Sequence, residues 1–335
     1  MKVVALAGGV GGAKLVDGLA RNLSPANLTT IVNTGDDFTH FGLNICPDLD
    51  TVCYTLAGLA NPETGWGQLY ETWNALDSLE RLGGPVWFRL GDRDLGTHLE
   101  RTRLLREGFS LSQITKRFCQ AWNVTSTVLP MSDDPIPTLV YTDQGDLPFQ
   151  AYFVREQCTP HVRGFAFQFA EQALPAPGVL EALGEADIVI ICPSNPWVSI
   201  DPILSIPGVK PEIRAKALSL REPGELHRSR EKIRPVLAVS PIIGGQAVKG
   251  PAAKMYSELG VEPSAFSVAR HYGSIQNGGL LAGFVFDHLD AGLEEDITGL
   301  GIEPFVTNTL MKQTSDRVKL AKEVLEFGER LMVHG

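Results

Sequence analysis

The chain has 335 residues, of which 44% are hydrophobic and 20% are charged, the composition of an ordinary globular protein. Its 39 acidic and 29 basic side chains give a net charge of −10, which argues against nucleic acid and anionic membranes as partners. The five cysteines never show a C-x-x-C spacing, which is typical of reduced intracellular proteins. Because no apolar run is long enough to span a membrane, we expect a cytoplasmic protein.

The first predicted element is a strand at residues 3–7, which runs into a glycine-rich loop and then a helix, in the stretch VVALAGGVGGAKLVDGLA. Such a junction leaves backbone N–H groups unpaired at the start of the helix, where an anion is stabilised. We therefore predict that Gly9, Gly11 and Gly12 bind phosphate. Lys14 would add positive charge, although its position also breaks the dinucleotide pattern G-x-G-x-x-G. The alternative is that these glycines only allow the helix to pack tightly on the strand.

Further apolar runs of strand length alternate with amphipathic stretches along the chain. They lie at residues 28–33, 86–90, 187–192, 235–240, 284–286 and 303–308. This alternation predicts an α/β fold, a Rossmann-like, doubly wound, mainly parallel sheet covered by helices. The segment 126–169 alternates apolar and polar positions between turn residues, which predicts a small inserted antiparallel element. We therefore assign residues 1–125 and 170–335 to a nucleotide-binding core and residues 126–169 to a β-rich insert.

Acidic residues follow the second predicted strand. The motif NTGDD contains Asn33, Asp36 and Asp37, and the motif PDLDT, which opens a predicted helix, contains Asp48 and Asp50. Because parallel strands present their carboxyl ends at one edge of a sheet, we expect these acids to lie near the glycine loop. Carboxylates beside phosphate are the ligands that Mg²⁺ prefers. The alternative for the acids of PDLDT is a helix cap.

Two later predicted strands also end in polar residues. The motif GDRD is either part of the site or a solvated turn with a weak ion pair. The motif PSNPWVS offers Ser194 and Asn195 as hydrogen-bonding groups, or as loop and cap residues. The tryptophans between the acids and GDRD are either core residues or the wall of a site for a flat aromatic ligand. These are Trp66, Trp73 and Trp87.

Six motifs together make a specific resemblance to a known family. In chain order they are NTGDD, ICPDLDTVCYTLAG, WFRLGDRDLGTH, LPMSDDPIPT, PSNPWVSIDPIL and SPIIGGQAVKGPAAKM. They resemble the 2-phospho-L-lactate or phosphoenolpyruvate transferase family of coenzyme F-420 biosynthesis, from residue 2 to about residue 311. The resemblance implies a Mg²⁺-dependent transferase, and also a homodimer. It would move a phospholactyl or phosphoenolpyruvyl group from a guanosine diphosphate ester to the ribityl hydroxyl of 7,8-didemethyl-8-hydroxy-5-deazariboflavin, releasing GMP.

The resemblance and the residues together suggest roles for the site. Asp36 and Asp50 are the predicted metal ligands, and Asp50 is also the candidate base that takes the acceptor's proton. Asp50 and Arg89 match family positions associated with the deazaflavin, although archaeal members often have Lys in place of Arg89. The choice between lactyl and enolpyruvyl donors is left open.

The remaining predicted ligand-binding groups would hold the guanine nucleotide. They are the glycine loop with Lys14, together with Asn33, Ser194 and Asn195. A different class of function is a non-catalytic regulatory protein of the same fold that binds a sugar nucleotide or dinucleotide. Such a protein would not need PDLDT followed by LGDRD. An NAD-dependent oxidoreductase is disfavoured by the missing third glycine of the dinucleotide pattern.

Overall fold

The computed structural model describes residues 1–218, 234–248 and 250–334, so Lys249 of the QAVKGP stretch lies outside the described residues. The strands are β1 (Val3–Ala7), β2 (Leu28–Val32), β3 (Phe38–His40), β4 (Leu43–Ile45), β5 (Thr127–Pro130), β6 (Thr138–Thr142), β7 (Gly145–Pro148), β8 (Val162–Phe167), β9 (Ile188–Ile191), β10 (Val236–Val239), β11 (Ile242–Ile243), β12 (Gln246–Ala247), β13 (Gly283–Asp287) and β14 (Glu303–Thr307). The helices are α1 (Gly9–Asn22), α2 (Pro47–Leu56), α3 (Asn74–Arg81), α4 (Asp92–Arg106), α5 (Leu111–Ala121), α6 (Val179–Glu185), α7 (Asp201–Ser205), α8 (Val209–Leu218), α9 (Ala252–Glu258), α10 (Ala265–Tyr272), α11 (Glu294–Gly299) and α12 (Thr314–His334).

A parallel sheet of seven strands forms the centre of the described part of the chain. Its order is β14-β13-β10-β9-β1-β2-β5, and every pairing within it is parallel. The chain builds outward from β1 to β2 and β5, and then crosses to β9 on the other side. This confirms the doubly wound α/β fold, and it places the topological switch point between β1 and β9. Ligands of such folds bind in the crevice at the carboxyl ends of the two strands that flank this point.

Helices cover both faces of the sheet. Val3, Ala5 and Ala7 of β1 pack in one core with α1, α2 and α12. Val4 and Leu6 point to the other face and pack in a core with residues of α6, α8 and α10. Burial on both faces explains why the strand sequences are continuously apolar rather than alternating. Among the described residues, no helix combines the length and apolarity needed to cross a membrane.

The inserted antiparallel element is shorter than the predicted segment. Strands β6, β7 and β8 form an antiparallel sheet. Val140 of β6 and Tyr152, which follows β7, pack against Met255 of α9. The beginning of the predicted insert does not belong to this antiparallel sheet, because β5 pairs with β2 and forms an edge of the main sheet. Its four residues alternate in burial because an edge strand is partly exposed to solvent.

The strand predicted at residues 86–90 is wrong, because this segment is a loop between α3 and α4. Trp87 and Phe88 of this loop are half-buried, and they are covered by aromatic contacts instead of by sheet pairing. The Trp87 ring lies 5.9 Å from Phe38 and 5.1 Å from His40, and the Phe88 ring lies 4.8 Å from Phe38, between centroids. We call Phe38, His40, Trp87 and Phe88 the aromatic cluster. The strands predicted from the other apolar runs are confirmed within one or two residues, as is the last helix, predicted at 315–333.

Gly18 lets α1 and α12 approach closely. A Cβ at this position would overlap the backbone carbonyl of Arg317 and lie 3.0 Å from the Cβ of Ala321. We expect Gly18→Val to lower the free energy of unfolding by about 1–3 kcal/mol in urea titrations, because the crowded atoms include backbone. Gly96→Ala in α4 is the matched control, since a Cβ there meets nothing within 4 Å. The control should leave stability unchanged or raise it by up to about 1 kcal/mol. Equal stability of the two variants would contradict this packing.

Candidate functional site

The loop after β1 is fastened to the loop after β9. The Ser194 hydroxyl donates to the Gly8 carbonyl at 2.7 Å and accepts from the Gly8 N–H at 3.1 Å. A Cβ on Gly11 would overlap the Pro193 carbonyl oxygen, and one on Gly12 would lie 2.6 Å from the Ser194 hydroxyl oxygen. Close packing therefore requires glycine at positions 11 and 12 whether or not a ligand binds. The predicted binding of phosphate by this loop stays a prediction.

Two other predicted nucleotide-binding side chains have partners within the protein. The Lys14 ammonium donates to the Met311 carbonyl at 2.9 Å. The Asn195 side chain accepts from the Trp197 N–H at 3.1 Å and donates to the Met255 sulfur at 3.4 Å. These contacts fix the loops around the switch point, and the roles predicted for both residues toward a nucleotide stay predictions.

The Asn33 side chain joins the two acidic motifs. It is fully buried, and its Nδ2 donates to Asp36 Oδ1 at 3.1 Å, to Asp48 Oδ2 at 2.9 Å and to the Val198 carbonyl at 3.1 Å. Its Oδ1 accepts from the Gly35 N–H at 2.8 Å. One amide thus brings together carboxylates that lie twelve positions apart in sequence. The partner of Asp36 across this amide is Asp48, whereas the sequence analysis paired Asp36 with Asp50.

Both carboxyl groups beside Asn33 are easier to protonate than ordinary aspartates. Burial raises the pKa of Asp36, the neighbouring Asp48 raises it further, and the hydrogen bond from Asn33 only partly opposes this. Burial likewise raises the pKa of Asp48, against hydrogen bonds from Asn33 and the Gly9 N–H. Two desolvated acids that repel each other favour either a proton or a cation between them.

Asp50 lies in the first turn of α2 but does not cap this helix, since the N-cap is Cys46 and has no side-chain hydrogen bond. Asp50 Oδ1 instead accepts a hydrogen bond from Nη2 of Arg101, in a pair whose side chains are both almost fully buried. Its Oδ2 is buried and has no hydrogen-bond partner among the described residues. The helix-cap alternative for this residue is therefore wrong.

Arg101 and His98 are residues of the site that the sequence analysis did not identify as neighbours of Asp50. The Nη1 of Arg101 contacts the Asn44 carbonyl at 3.3 Å and His98 Nδ1 at 3.2 Å. A guanidinium only donates, so His98 Nδ1 accepts and the imidazole proton belongs on Nε2. Burial lowers the pKa of His98 to about 4, which agrees with a neutral ring.

The GDRD motif is not a solvated turn. Its first Asp, Asp92, accepts hydrogen bonds from the Thr72 hydroxyl and the Ala75 N–H, and these bonds lower its pKa to about 2. Its second Asp, Asp94, is buried, and burial together with the charge of Asp50 raises its pKa to about 7. Asp94, His98 and Arg101 follow one another at helical spacing on one face of α4. That spacing is the sequence signal that could have identified these three residues as one group. The sequence does not reveal which helix this face contacts.

Arg89 is exposed at the surface. Its guanidinium stacks over the Trp73 ring, 4.2 Å from the centroid. The Arg155 guanidinium lies 6.0 Å from the centroid of the Trp87 ring in the aromatic cluster. Flat rings and guanidinium planes are suited to binding a planar aromatic ligand.

We call Asp36, Asp37, Asp48, Asp50 and Asp94 the acid cluster. Within residues 1–218, 234–248 and 250–334, no three His, Cys, Asp or Glu side chains are grouped so that they could hold a metal ion by themselves. Oxygens of Asp37, Asp50 and Asp94 are nevertheless buried without a hydrogen-bond partner in this part of the chain. Mg²⁺ is usually held by one or two carboxylates together with waters and substrate phosphates. A Mg²⁺ ion at the acid cluster would therefore need waters and substrate phosphate oxygens to complete its coordination.

Comparisons with known proteins give a consistent result. Residues 3–221 match the family described as 2-phospho-L-lactate transferase CofD. The chain is similar to the phosphoenolpyruvate transferase of Streptomyces griseus, with 41% identity over 99% of both chains. It is similar to the phosphoenolpyruvate transferase of Thermobifida fusca, with 43% identity over 87% of this chain and 88% of that one. Among solved structures it is similar to protein BH3568 of Bacillus halodurans, with a TM-score of 0.61 over 97% of this chain and 99% of that one. At 16% identity, the likeness to that structure concerns the fold alone.

The raised pKa of Asp94 predicts a pH dependence of stability. In the folded protein the carboxyl group keeps its proton up to about pH 7, whereas an unfolded aspartate loses it near pH 4. The contribution of the Asp94 carboxyl group to the free energy of unfolding is therefore fully present below about pH 4 and is lost as the pH rises through about 7. In urea titrations with a chelator, Asp94→Asn should reduce the difference in unfolding free energy between about pH 5 and pH 8, by at most about 3 kcal/mol, because roughly two pH units below the folded pKa lie in this window.

Asp92→Asn is the control for this experiment. Because the pKa of Asp92 is lowered to about 2, its contribution is lost only as the pH falls below about 4. It should leave the difference between about pH 5 and pH 8 unchanged. An Asp94→Asn variant with the wild-type pH dependence would contradict the protonated state inferred for this residue.

Proposed function

This chain is a member of the 2-phospho-L-lactate transferase CofD family, and we propose that it transfers a phosphoenolpyruvyl group from a guanosine diphosphate ester to a deazaflavin. The acceptor is the ribityl hydroxyl of 7,8-didemethyl-8-hydroxy-5-deazariboflavin, and GMP is released. The observation that carries this proposal is the likeness, over nearly the whole chain, to proteins named phosphoenolpyruvate transferase. Those names favour the enolpyruvyl donor over the lactyl donor, which the sequence motifs leave open.

In the proposed reaction, the ribityl oxygen attacks the phosphorus that bears the enolpyruvyl group. The bond from this phosphorus to the bridging oxygen breaks, and GMP leaves with the electron pair. Such transfers depend mainly on in-line positioning and on neutralisation of the phosphate charge. The unpartnered Oδ2 of Asp50 would accept the proton of the hydroxyl group.

The acid cluster would hold Mg²⁺ through Asp36 and Asp50, the residues proposed from the sequence, with Asp48 added because Asn33 holds it beside Asp36. The bound ion would neutralise charge on the phosphate oxygens. Of these three residues, Asp50 has a buried carboxylate oxygen without a hydrogen-bond partner in the described part of the chain, which supports its assignment.

The nucleotide and the acceptor would enter from different sides of the acid cluster. The guanosine diphosphate would lie at the switch point between β1 and β9, with its phosphates near the N–H groups at the start of α1. The planar deazaflavin would lie near the aromatic cluster and Arg89, since Phe38 directly follows the acidic motif in the chain. We also propose that the protein acts as a homodimer in the cytoplasm.

A regulatory binding protein of the same fold is the less favoured alternative. The likeness to the Bacillus halodurans structure supports only a common fold, whereas the likeness to transferases extends over nearly the whole chain at much higher identity. The buried acids on α2 and α4 also have no evident purpose in a protein that only binds a nucleotide.

The reconstituted reaction tests the proposal directly. We expect the enolpyruvyl ester and the deazaflavin to give a product heavier than the acceptor by one phosphoenolpyruvyl group, with release of GMP. The lactyl ester should react at least about tenfold less efficiently, a difference of about 1.4 kcal/mol in transition-state binding. A chelator should abolish turnover, and added Mg²⁺ should restore it. If neither donor reacts while GDP still raises the melting temperature, the protein is a nucleotide-binding protein and not this enzyme.

The surface position of Arg89 predicts a selective effect on the acceptor. We expect Arg89→Ala to raise the KM for the deazaflavin about tenfold, while the affinity for GDP changes less than about twofold. Arg117→Ala provides a matched control, since Arg117 is similarly exposed and its nearest acid is 4.0 Å away. Steady-state kinetics and GDP titrations measure both quantities. Equal losses of acceptor and GDP binding would place Arg89 in the nucleotide site.

A further inference from the structure

We propose that Arg101 is the positioning residue of this site. It holds Asp50 by one carboxylate oxygen and leaves the other without a hydrogen-bond partner among the described residues. This inference rests on the proposed function and adds to it a residue that contacts neither substrate. The residue comes from α4, whereas Asp50 comes from α2, so the contact also fixes the relative placement of two helices.

The contacts of Arg101 hold its guanidinium in one orientation. Arg101 is 1% exposed, and its Nη2 donates to Asp50 Oδ1. Its Nη1 contacts the Asn44 carbonyl and His98 Nδ1, which lie on β4 and α4. A planar guanidinium held at two nitrogens cannot rotate without breaking these contacts, whereas a lysine ammonium could. The orientation of the Asp50 carboxylate is therefore set by β4 and α4 together.

The arrangement of charges points to positioning rather than to stability alone. Among the described basic side chains, Arg101 is the one that is hydrogen-bonded to a member of the acid cluster. A buried ion pair often contributes less to stability than well-packed apolar residues of the same volume. The pair also leaves Asp50 Oδ2 buried without a protein partner, 3.7 Å from Nδ1 of a neutral His98. An arrangement that served stability alone would be expected to satisfy both carboxylate oxygens.

A kinetic double-mutant cycle tests this inference. Arg101→Met should lower kcat about 100-fold, the scale of a misplaced catalytic group, while the acceptor KM and the GDP affinity change less than about threefold. Asp50→Asn should lower kcat at least as much. In the Asp50→Asn background, adding Arg101→Met should cost less than about threefold more, because its only effect acts through Asp50. Arg101→Lys should recover part of kcat, since it restores the charge but not the planar fork.

The control variant is Arg103→Met. Arg103 lies on the same helix and forms exposed ion pairs with Glu100 and Glu107. It should keep kcat and melting temperature close to the wild type. All rates are normalised to the fraction of protein that binds GDP, which removes the contribution of unfolded protein. Arg101→Met should also lower the melting temperature, and Asp50→Asn in the same chain should raise it again, because the unpaired buried charge is gone.

The outcomes separate this inference from the proposed function. If the wild type transfers the group but the losses in kcat from Arg101→Met and Asp50→Asn simply multiply, Arg101 does not act through Asp50 and the inference is overturned. An Arg101→Met variant whose GDP-binding fraction turns over normally overturns it as well. A wild-type protein that transfers neither group overturns the proposed function and the positioning role together, while recovery of the melting temperature would still report on the ion pair.

Discussion

A carboxylate that leaves water must gain a hydrogen bond, a countercharge or a proton, and this constraint governs the edge of the sheet where the acid cluster lies. All three ways of stabilising a buried carboxylate are present here. Asn33 supplies one shared amide to Asp36 and Asp48, Arg101 supplies a countercharge to Asp50, and Asp94 keeps its proton up to about pH 7. The site thus carries negative charge that the described protein groups neutralise only in part. Such a region is suited to a divalent cation and to the phosphates that the cation would accompany.

The two loops that flank the crevice at the switch point are held together by the protein's own contacts. Ser194 exchanges two hydrogen bonds with Gly8, and the carbonyl of Pro193 occupies the space that a side chain at position 11 would need. The glycines therefore have a packing role that does not depend on a ligand. A fixed crevice would lose little conformational entropy when a diphosphate binds, so tight packing and phosphate binding at the same loop are compatible.

The sequence predicts the parallel sheet well, because a strand buried on both faces must be apolar throughout, as β1 and β9 are. It fails at residues 86–90, where Trp87 and Phe88 are equally apolar but pack on β3, since an apolar run shows that a segment is buried and not what buries it. The acids of α2 could be found from their position after a strand. Arg101 could not be paired with Asp50 from sequence, because the two residues are 51 positions apart and meet only through the packing of α4 against β4.

The connection between β2 and β5 carries most of what distinguishes this site from a plain nucleotide-binding fold. A crossover between parallel strands needs only about a dozen residues, usually one helix. Here residues 33–126 form a hairpin and four helices, and they contain the whole acid cluster, Arg101 and the aromatic cluster. The sheet and α1 would serve any nucleotide in a fold of this kind, because they offer backbone donors at a switch point. The side chains that distinguish this protein from a plain nucleotide-binding fold are thus concentrated in one connection, and a common fold at 16% identity says little about activity.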